Sequence, residues 1–583
     1  MKKKWIAYLL CASILSGSLL SGCAAKGTEN GSSETVQESS IGQEEGETGG
    51  EEQNADGITV SESPMIQANQ GEQNVIDDKY RTYYEVFVYS FYDSDGDGIG
   101  DLKGLTEKLD YINDGDASTT EDLGFNGIWL MPIMPSTTYH KYDVTDYLDI
   151  DPEYGTLEDF KELIAQCHER GINVIIDFVM NHTSSKHEWF TTACTYLRDL
   201  GENEPSESEC PYYGYYNFSR EKLNGDYYKV PGADWYYEGK FWSEMPDLNL
   251  ANEALRAEFD NIVSFWTELG VDGFRLDAAK EYYSDNIPAN VEVLSWFNTM
   301  VKEKNEDAYI VAEVWSDMSA YAQYYQSGID SVFNFAFANS EGVIAKTVKG
   351  IAPSGAAAYG NAVAELAGQF GQYNKNYIDA PFYCNHDLAR SAGYYNGEWA
   401  EAQVKMGAAL NLMMDGAAFV YYGEELGMKG SGKDENKRAP MYWSEDGEAE
   451  GMCNGPKDMD KVTMKYPSFE VQKEDSHSIY NYYKQAVLLR NRYPEIARGE
   501  VSYLSEVSDD KICILKKEYE GSAILLVFNI SAEKLLLDLS QFNLANIDAE
   551  NLSVGGMLLT GEEAVSKEGS GLVLPPYSTA VLE

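Results

Sequence analysis

Cysteine is scarce and scattered, with eight residues in 583 and no CxxC pair. That usage excludes a ribbon-type zinc site and a disulfide framework. Basic residues are outnumbered, 44 against 96 acidic ones, for a formal net charge of -52. Phosphate backbones and anionic membranes are gripped by clusters of Lys and Arg, so binding to nucleic acid or a membrane through a basic face is excluded as well. The acidity requires no partner, because surplus carboxylates keep an exported protein soluble. Beyond the first 22 residues no apolar run is long enough to span a bilayer. Histidine occurs only six times, so each one is worth placing.

What is present begins at the N-terminus. Residues 1–22 combine a basic start, "MKKK", an apolar run and small residues, the pattern of an export signal. It ends in "LSGC", which resembles a bacterial lipobox and implies lipidation of Cys23 and an anchor on the outer face of a bacterial membrane. Residues 23–78 are rich in Gly, Ser, Glu and Gln with few aromatics, a composition that reads as a disordered acidic tether. Cys194 and Cys210 share one loop-rich stretch and are the one pair near enough in sequence to suggest a bridge. The 43 tyrosines and 10 tryptophans suit flat, amphipathic ligands such as sugars, and core packing accounts for them equally well.

From about residue 80 short apolar runs alternate with helical patterns. Eight candidate strands lie at 82–91, 124–132, 172–180, 271–277, 308–315, 331–335, 380–385 and 417–423. Eight strands alternating with helices predict an α/β chain folded as a (β/α)8 TIM barrel over 79–182 and 251–494. A doubly wound sheet is the structural competitor, and it lacks its glycine-rich phosphate loop after the first strand. Residues 183–250 are too long for a barrel loop, hold no strong helix pattern, and predict an inserted loop-rich domain after strand three. Residues 495–583 read as a C-terminal antiparallel β-sandwich.

The stretch "DSDGDGIGD" at 93–101 has the acidic spacing of an EF-hand calcium loop. The bidentate Glu of that loop would fall at the twelfth position, which is Gly104, and the preceding residues read as a strand. A cation site at the end of a strand fits better than an EF-hand. Reacting groups of a barrel come from the C-terminal ends of its strands. Those ends supply Asp177 with Asn181 and His182, Arg275 with Asp277, Glu313, and His386 with Asp387.

With these residues placed, the chain resembles the α-amylase family of glycoside hydrolases. The resemblance rests on "DFVMNH" (177–182), "GFRLDAAK" (273–280), "EVW" (313–315) and "NHD" (385–387), supported by "KYDVTDY" (141–147), "MPDLN" (245–249), "YYGEELGM" (421–428) and "RAPMYW" (438–443). It implies Asp277 as nucleophile, Glu313 as general acid and then base, and Asp387 as the residue that grips sugar hydroxyls and helps distort the ring. It also implies sugar binding by Tyr142, Asp143, His182, Arg275, Lys280, His386 and Arg438. Residues 275 and 277 face the same way on a strand, so Arg275 favours ionised Asp277. Glu313 has no cation in its own motif, and the charges of Asp277 and Asp387 should raise its pKa. Carboxyls about 5–5.5 Å apart would retain anomeric configuration.

The resemblance further implies one Ca2+ held by Asp93, Asp95, Asp97, Asp101 and the Ile99 carbonyl. A second calcium site at Asn181 is not expected, because Glu281 stands where many relatives have His. Ala278 after the nucleophile implies α-1,4 bonds. The expected protein is therefore a monomeric, surface-anchored, endo-acting α-amylase on starch-like α-glucan polysaccharides or malto-oligosaccharides. A 4-α-glucanotransferase or an exo-acting α-glucosidase or neopullulanase-like enzyme is the alternative within enzymes. A non-catalytic glycan-binding lipoprotein would lack one of the three carboxylates, and a calcium-dependent adhesion module explains nothing after residue 104.

Overall fold

The computed structural model describes residues 63–583 apart from 72, 285, 546, 549 and 550. The export signal, Cys23 and most of the tether lie outside the described residues. Seven parallel strands form one curled sheet: β1 (Thr82–Val86), β2 (Gly127–Leu130), β3 (Asn173–Phe178), β4 (Gly273–Leu276), β5 (Tyr309–Ala312), β6 (Ser331–Val332) and β7 (Ala418–Tyr421). The eighth stave is the segment at 380–382. It joins by single bridges, Phe333 to Ala380 and Phe382 to Phe419, and β7 then pairs with β1. The ring closes as the (β/α)8 barrel that the alternation predicts.

The barrel interior is a packed core. Tyr83 of β1 stacks on Tyr309 (5.3 Å) and Phe419 (4.9 Å), and Trp129 packs against Phe333 (5.3 Å). Two residues on from Tyr83, on the same side of the strand, stands Glu85, so β1 delivers an aromatic to the core and a carboxylate to the layer above it. The helices pack outside for local reasons. The helix Leu157–Glu169 opens on a capping box between Thr156 and Asp159 and is followed by Gly171 at φ +71°. Its Phe160, Leu163, Ile164 and Cys167 turn inward at helical spacing.

The insertion after β3 contains a three-stranded sheet of Phe218–Ser219, Tyr227–Lys229 and Tyr236–Glu238. It also contains the helix Glu188–Leu200, which corrects the expectation of no helix there. Phe190, Ala193, Cys194 and Leu197 form its buried stripe, and its helix pattern is weak in sequence because Thr-Thr and three aromatics dilute its helix propensity. Cys194 and Cys210 are both buried free thiols, so the suggested bridge is absent. The C-terminal domain is a sandwich of a five-stranded and a three-stranded antiparallel sheet, with strands from Glu500–Tyr503 to Thr579–Leu582.

The tether reading fails at its C-terminal end. Pro64–Asn69 form a short helix capped by Ser63, whose Oγ accepts from Met65 N (3.3 Å). Met65 and Asn69 are fully buried. Asn69 Nδ2 donates to Gln485 Oε1 (3.1 Å) and to the Met557 carbonyl (2.9 Å), and its Oδ1 accepts from Met557 N (2.8 Å). One apolar and one polar side chain dock this segment, too few for composition to register. No described helix is long and apolar enough to cross a membrane.

Candidate active site

The site is built on register. β3 and β4 pair Asp177 with Arg275, and Asp277 follows two residues later on the same face. The Arg275 guanidinium is fully buried, and its Nη1 donates to Asp177 Oδ1 (2.8 Å) and Oδ2 (3.0 Å) and to Asp277 Oδ1 (2.8 Å). Its Nη2 lies 3.1 Å from Glu313 Oε2, an ionic contact without hydrogen-bond geometry. Glu313, the expected general acid, thus has a cation beside it after all, supplied by β4 and not by its own motif. One arginine ties three carboxylates together over the Trp129 ring, 5.1 Å from its centre.

Ala278, directly after Asp277, has φ +46°. That left-handed turn lets Ala278 N donate to Glu313 Oε2 (2.9 Å), and the carbonyl of Glu313 accepts from Ala279 N (3.0 Å). A β-branched residue at such a φ would be strained further, which gives Ala278 a backbone reason. Burial pushes the Glu313 carboxyl up to about 7, with Arg275 opposing and Asp277 and Asp387 adding to the rise. The expected direction holds, although desolvation outweighs the neighbouring charges. Burial likewise pushes Asp177 up to about 6 against the pull of Arg275.

Asp387 is in the opposite position. Burial opposes its ionisation, yet His386 Nε2 at 3.1 Å and Arg438 Nη2 at 3.0 Å hold it well below the usual carboxylate range. His386 also contacts Glu85 Oε1 through Nδ1 (2.5 Å). Burial disfavours the imidazolium, and Asp387 and Glu85 more than offset this and push it up to about 9. Tyr142 stacks on His386 (5.5 Å), and its hydroxyl bonds to Asp177 Oδ2 (2.9 Å) and His386 Nε2 (2.7 Å). Arg438 Nη1 donates to the Tyr139 hydroxyl (3.0 Å), which fixes its reach toward Asp387.

His182 is buried, and its Nε2 has no hydrogen-bond partner among the described residues, an open donor or acceptor beside Asp277. The Phe241 ring packs on it at 5.2 Å. Lys280 lies near Glu281 Oε1 at 3.7 Å. Glu281 is paired more closely with Lys240, at 3.2 Å, and Asn181 Nδ2 donates to Asp247 Oδ1 (3.2 Å), so Asn181 bonds locally. Asp143, expected to bind sugar, is engaged by the protein itself. It is fully buried and its carboxylate is taken up by the hydroxyls of Ser136 (2.6 Å), Thr137, Thr138 and Ser184 (3.3 Å). It ties the 136–138 loop to Ser184.

Sequence reasoning missed Glu85 as the partner of His386, Asp177 as a partner of Arg275 and Tyr142, and Tyr139 as the brace of Arg438. Glu85 could have been found as the one charge inside "TYYEV". The other two depend on contacts distant in sequence. Two half-exposed rings near the carboxylates were also missed: Phe241 (49% exposed) and Trp315 (48%), the latter stacked on Phe335 at 5.3 Å.

At the start of the helix that follows β1, carboxylate oxygens of Asp93, Asp95 and Asp101 gather within 4.8 Å of one another, an acidic cluster able to hold a metal ion. No Lys or Arg pairs with them among the described residues. Asp93 instead accepts from Gly96 N (2.6 Å) and Gly98 N (2.7 Å), made possible by glycines at φ +83° and +94°. Asp97 does not join the cluster; its Oδ1 accepts from Ile99 N (2.8 Å). A side chain at Gly104 would place its Cβ 2.2 Å from the Tyr92 carbonyl, so the Glu that closes an EF-hand cannot stand there. The loop also holds the chain at 451–454, through Asp93 N to the Gly451 carbonyl (3.1 Å) and Asn454 N to the Gly98 carbonyl (2.8 Å).

Buried carboxylates paired by a fixed arginine at the C-terminal end of a closed barrel fit a glycoside hydrolase. The family profile "Alpha amylase, catalytic domain" matches residues 85–499, and the chain belongs to the α-amylase family. A solved structure, Amy13B of Eubacterium rectale, is 50% identical with a TM-score of 0.85, covering 90% of this chain and 99% of that one. "Alpha-amylase 3" of Dictyoglomus thermophilum is 36% identical over 508 residues, 87% of this chain and 93% of the relative. "4-alpha-glucanotransferase" of Thermotoga maritima is 28% identical over 470 residues, 78% and 97% respectively.

Proposed function

We propose that this glycoside hydrolase of α-glucans cleaves α-1,4-glucosidic bonds by double displacement. The observation that carries the reading is the opposed ionisation of its carboxylates, with Glu313 pushed toward neutrality while Asp387 is held charged. Asp277, fixed by Arg275, attacks the anomeric carbon as Glu313 gives its proton to the departing glycosidic oxygen. The bond from carbon to that oxygen breaks and a glycosyl ester of Asp277 forms. Glu313 Oε2 is engaged by Ala278 N and Arg275, which leaves Oε1 to carry the proton. Water or a sugar hydroxyl then attacks the ester, Glu313 takes its proton, and configuration is retained. Asp387 and His182 Nε2 would hold sugar hydroxyls, and Tyr142 would stand against the ring.

What accepts the glycosyl group decides the activity. Endo-acting α-amylase is the first reading, supported by the 36% identical relative named "Alpha-amylase 3". A 4-α-glucanotransferase or exo-acting α-glucosidase is the second, and the range of activities among relatives supports it more broadly. Trp315, two residues beyond the acid, offers a sugar acceptor an exposed ring. A product profile on starch, pullulan and maltoheptaose separates them. Rapid loss of starch viscosity marks endo cleavage, rearranged oligosaccharides mark transfer, and glucose released singly marks exo action. No product from any of the three would refute all readings.

The ion of the Asp93 loop is inferred to be calcium, because its donors are hard oxygens in a flexible loop. Lipidation at Cys23 and a place on the outer face of the membrane rest on the sequence pattern alone. Cys23→Ala should release the enzyme to the medium, and unchanged membrane association would refute the anchor.

A further inference from the structure

An acidic protein should line its clefts with carboxylates, and four clefts among the described residues obey. Those beside Asp122, Asp379, Glu153 and Glu292 each carry more carboxylates than cations. One does not. A cleft of about 630 Å³ opens between the chain that follows Asp387 and the chain that precedes Arg438, and Lys349, Lys429, Lys461 and Arg390 line it with a single carboxylate, Asp460. That carboxylate is already satisfied, by Lys433 Nζ at 2.7 Å and Asn436 Nδ2 at 3.0 Å. Lys349 gives one proton to the Ser340 carbonyl (2.7 Å) and stands 5.6 Å from the centre of the Tyr394 ring, with further donors to spare. Lys429 and Lys461 have no ion-pair partner among the described residues. In a chain of net charge -52, three lysines lining one cleft, whose single carboxylate is engaged by Lys433 and Asn436, form a local reversal of the field.

We infer that this cleft binds a phosphate monoester carried on a glucosyl unit. Lysine ammonium groups take phosphate as point charges. The volume exceeds what a bare ion needs and falls in the range of small-molecule pockets. Tyr394 supplies a ring face, and Ser431 and Thr463 supply hydroxyls for a sugar. The cleft adjoins the catalytic centre through the chain itself, since Lys437 donates to the Asp387 carbonyl (2.7 Å) and Asn436 lies on its wall. The sugar part of this assignment rests on the α-glucan reading. The phosphate part rests on the cleft alone.

The test is calorimetric binding of glucose 6-phosphate, glucose and inorganic phosphate at matched ionic strength, to the whole enzyme and to the double variant Lys429→Ala/Lys461→Ala. Starch hydrolysis by the variant serves as the check on folding, because neither lysine belongs to the catalytic machinery. Binding of glucose 6-phosphate that glucose does not match, weakened at least about tenfold in the variant, is the expected result. Equal binding by enzyme and variant, or none by either, would overturn the site whether or not starch is cleaved. Inorganic phosphate binding as tightly as glucose 6-phosphate would overturn the sugar-borne assignment.

Discussion

Two acidic constellations stand at the same end of the barrel and solve like-charge repulsion differently. In the catalytic centre Asp177, Asp277, Glu313 and Asp387 are compensated by cations of the protein itself, Arg275, His386 and Arg438. In the 93–101 loop Asp93, Asp95 and Asp101 converge with backbone amides and no protein cation. The first arrangement fixes geometry independently of solvent, which chemistry requires. The second has no such cation among the described residues and is a cluster able to hold a metal ion.

If that contrast is right, perturbing the centre should cost rate and perturbing the loop should cost stability. Asp277→Asn is expected to lower kcat/KM by about 10^4-fold or more while leaving glucan binding measurable by affinity electrophoresis. Turnover at the wild-type rate would remove the nucleophile role. Glu313→Gln should lose about 10^2- to 10^4-fold on starch and regain its first step on a substrate with an activated leaving group. Absence of rescue would reassign the acid.

How much of this was legible in the sequence depends on the range of each contact. The strand ends carrying Asp277, Glu313 and Asp387 could be read because apolar runs bounded by turns locate them, and seven of the eight expected staves became ladder strands. The stave at 380–382 survives as two bridges, since Pro381 cannot donate to a ladder. Contacts across hundreds of residues were not legible. His386 on Glu85 and Arg438 on Tyr139 arise only when the barrel closes. The four hydroxyl partners of Asp143 were likewise not legible, because a motif names a residue without saying what it touches. The Asp93 loop was recognisable by spacing, while the reason it cannot be an EF-hand, the Tyr92 carbonyl against Gly104, is purely spatial.

Smaller effects sharpen the comparison. With Glu313 raised to about 7, it must be protonated to act, so kcat/KM should fall as pH rises through that value, about tenfold per unit beyond it. An alkaline limb unchanged in Glu313→Gln would assign the fall to another group. Chelation should lower Tm by a few degrees, because an ion bound only by the folded loop stabilises it by mass action, with little change in initial rate well below the transition. Lost activity at unchanged Tm would mean that the loop belongs to the chemistry.

The most direct test of the account is to trap the intermediate. A fluorinated glucosyl fluoride that forms the glycosyl-enzyme faster than it is hydrolysed should add one sugar mass per chain, and peptide mapping should place it on Asp277. A label on any other residue, or none on an enzyme that still consumes the reagent, would contradict double displacement through Asp277.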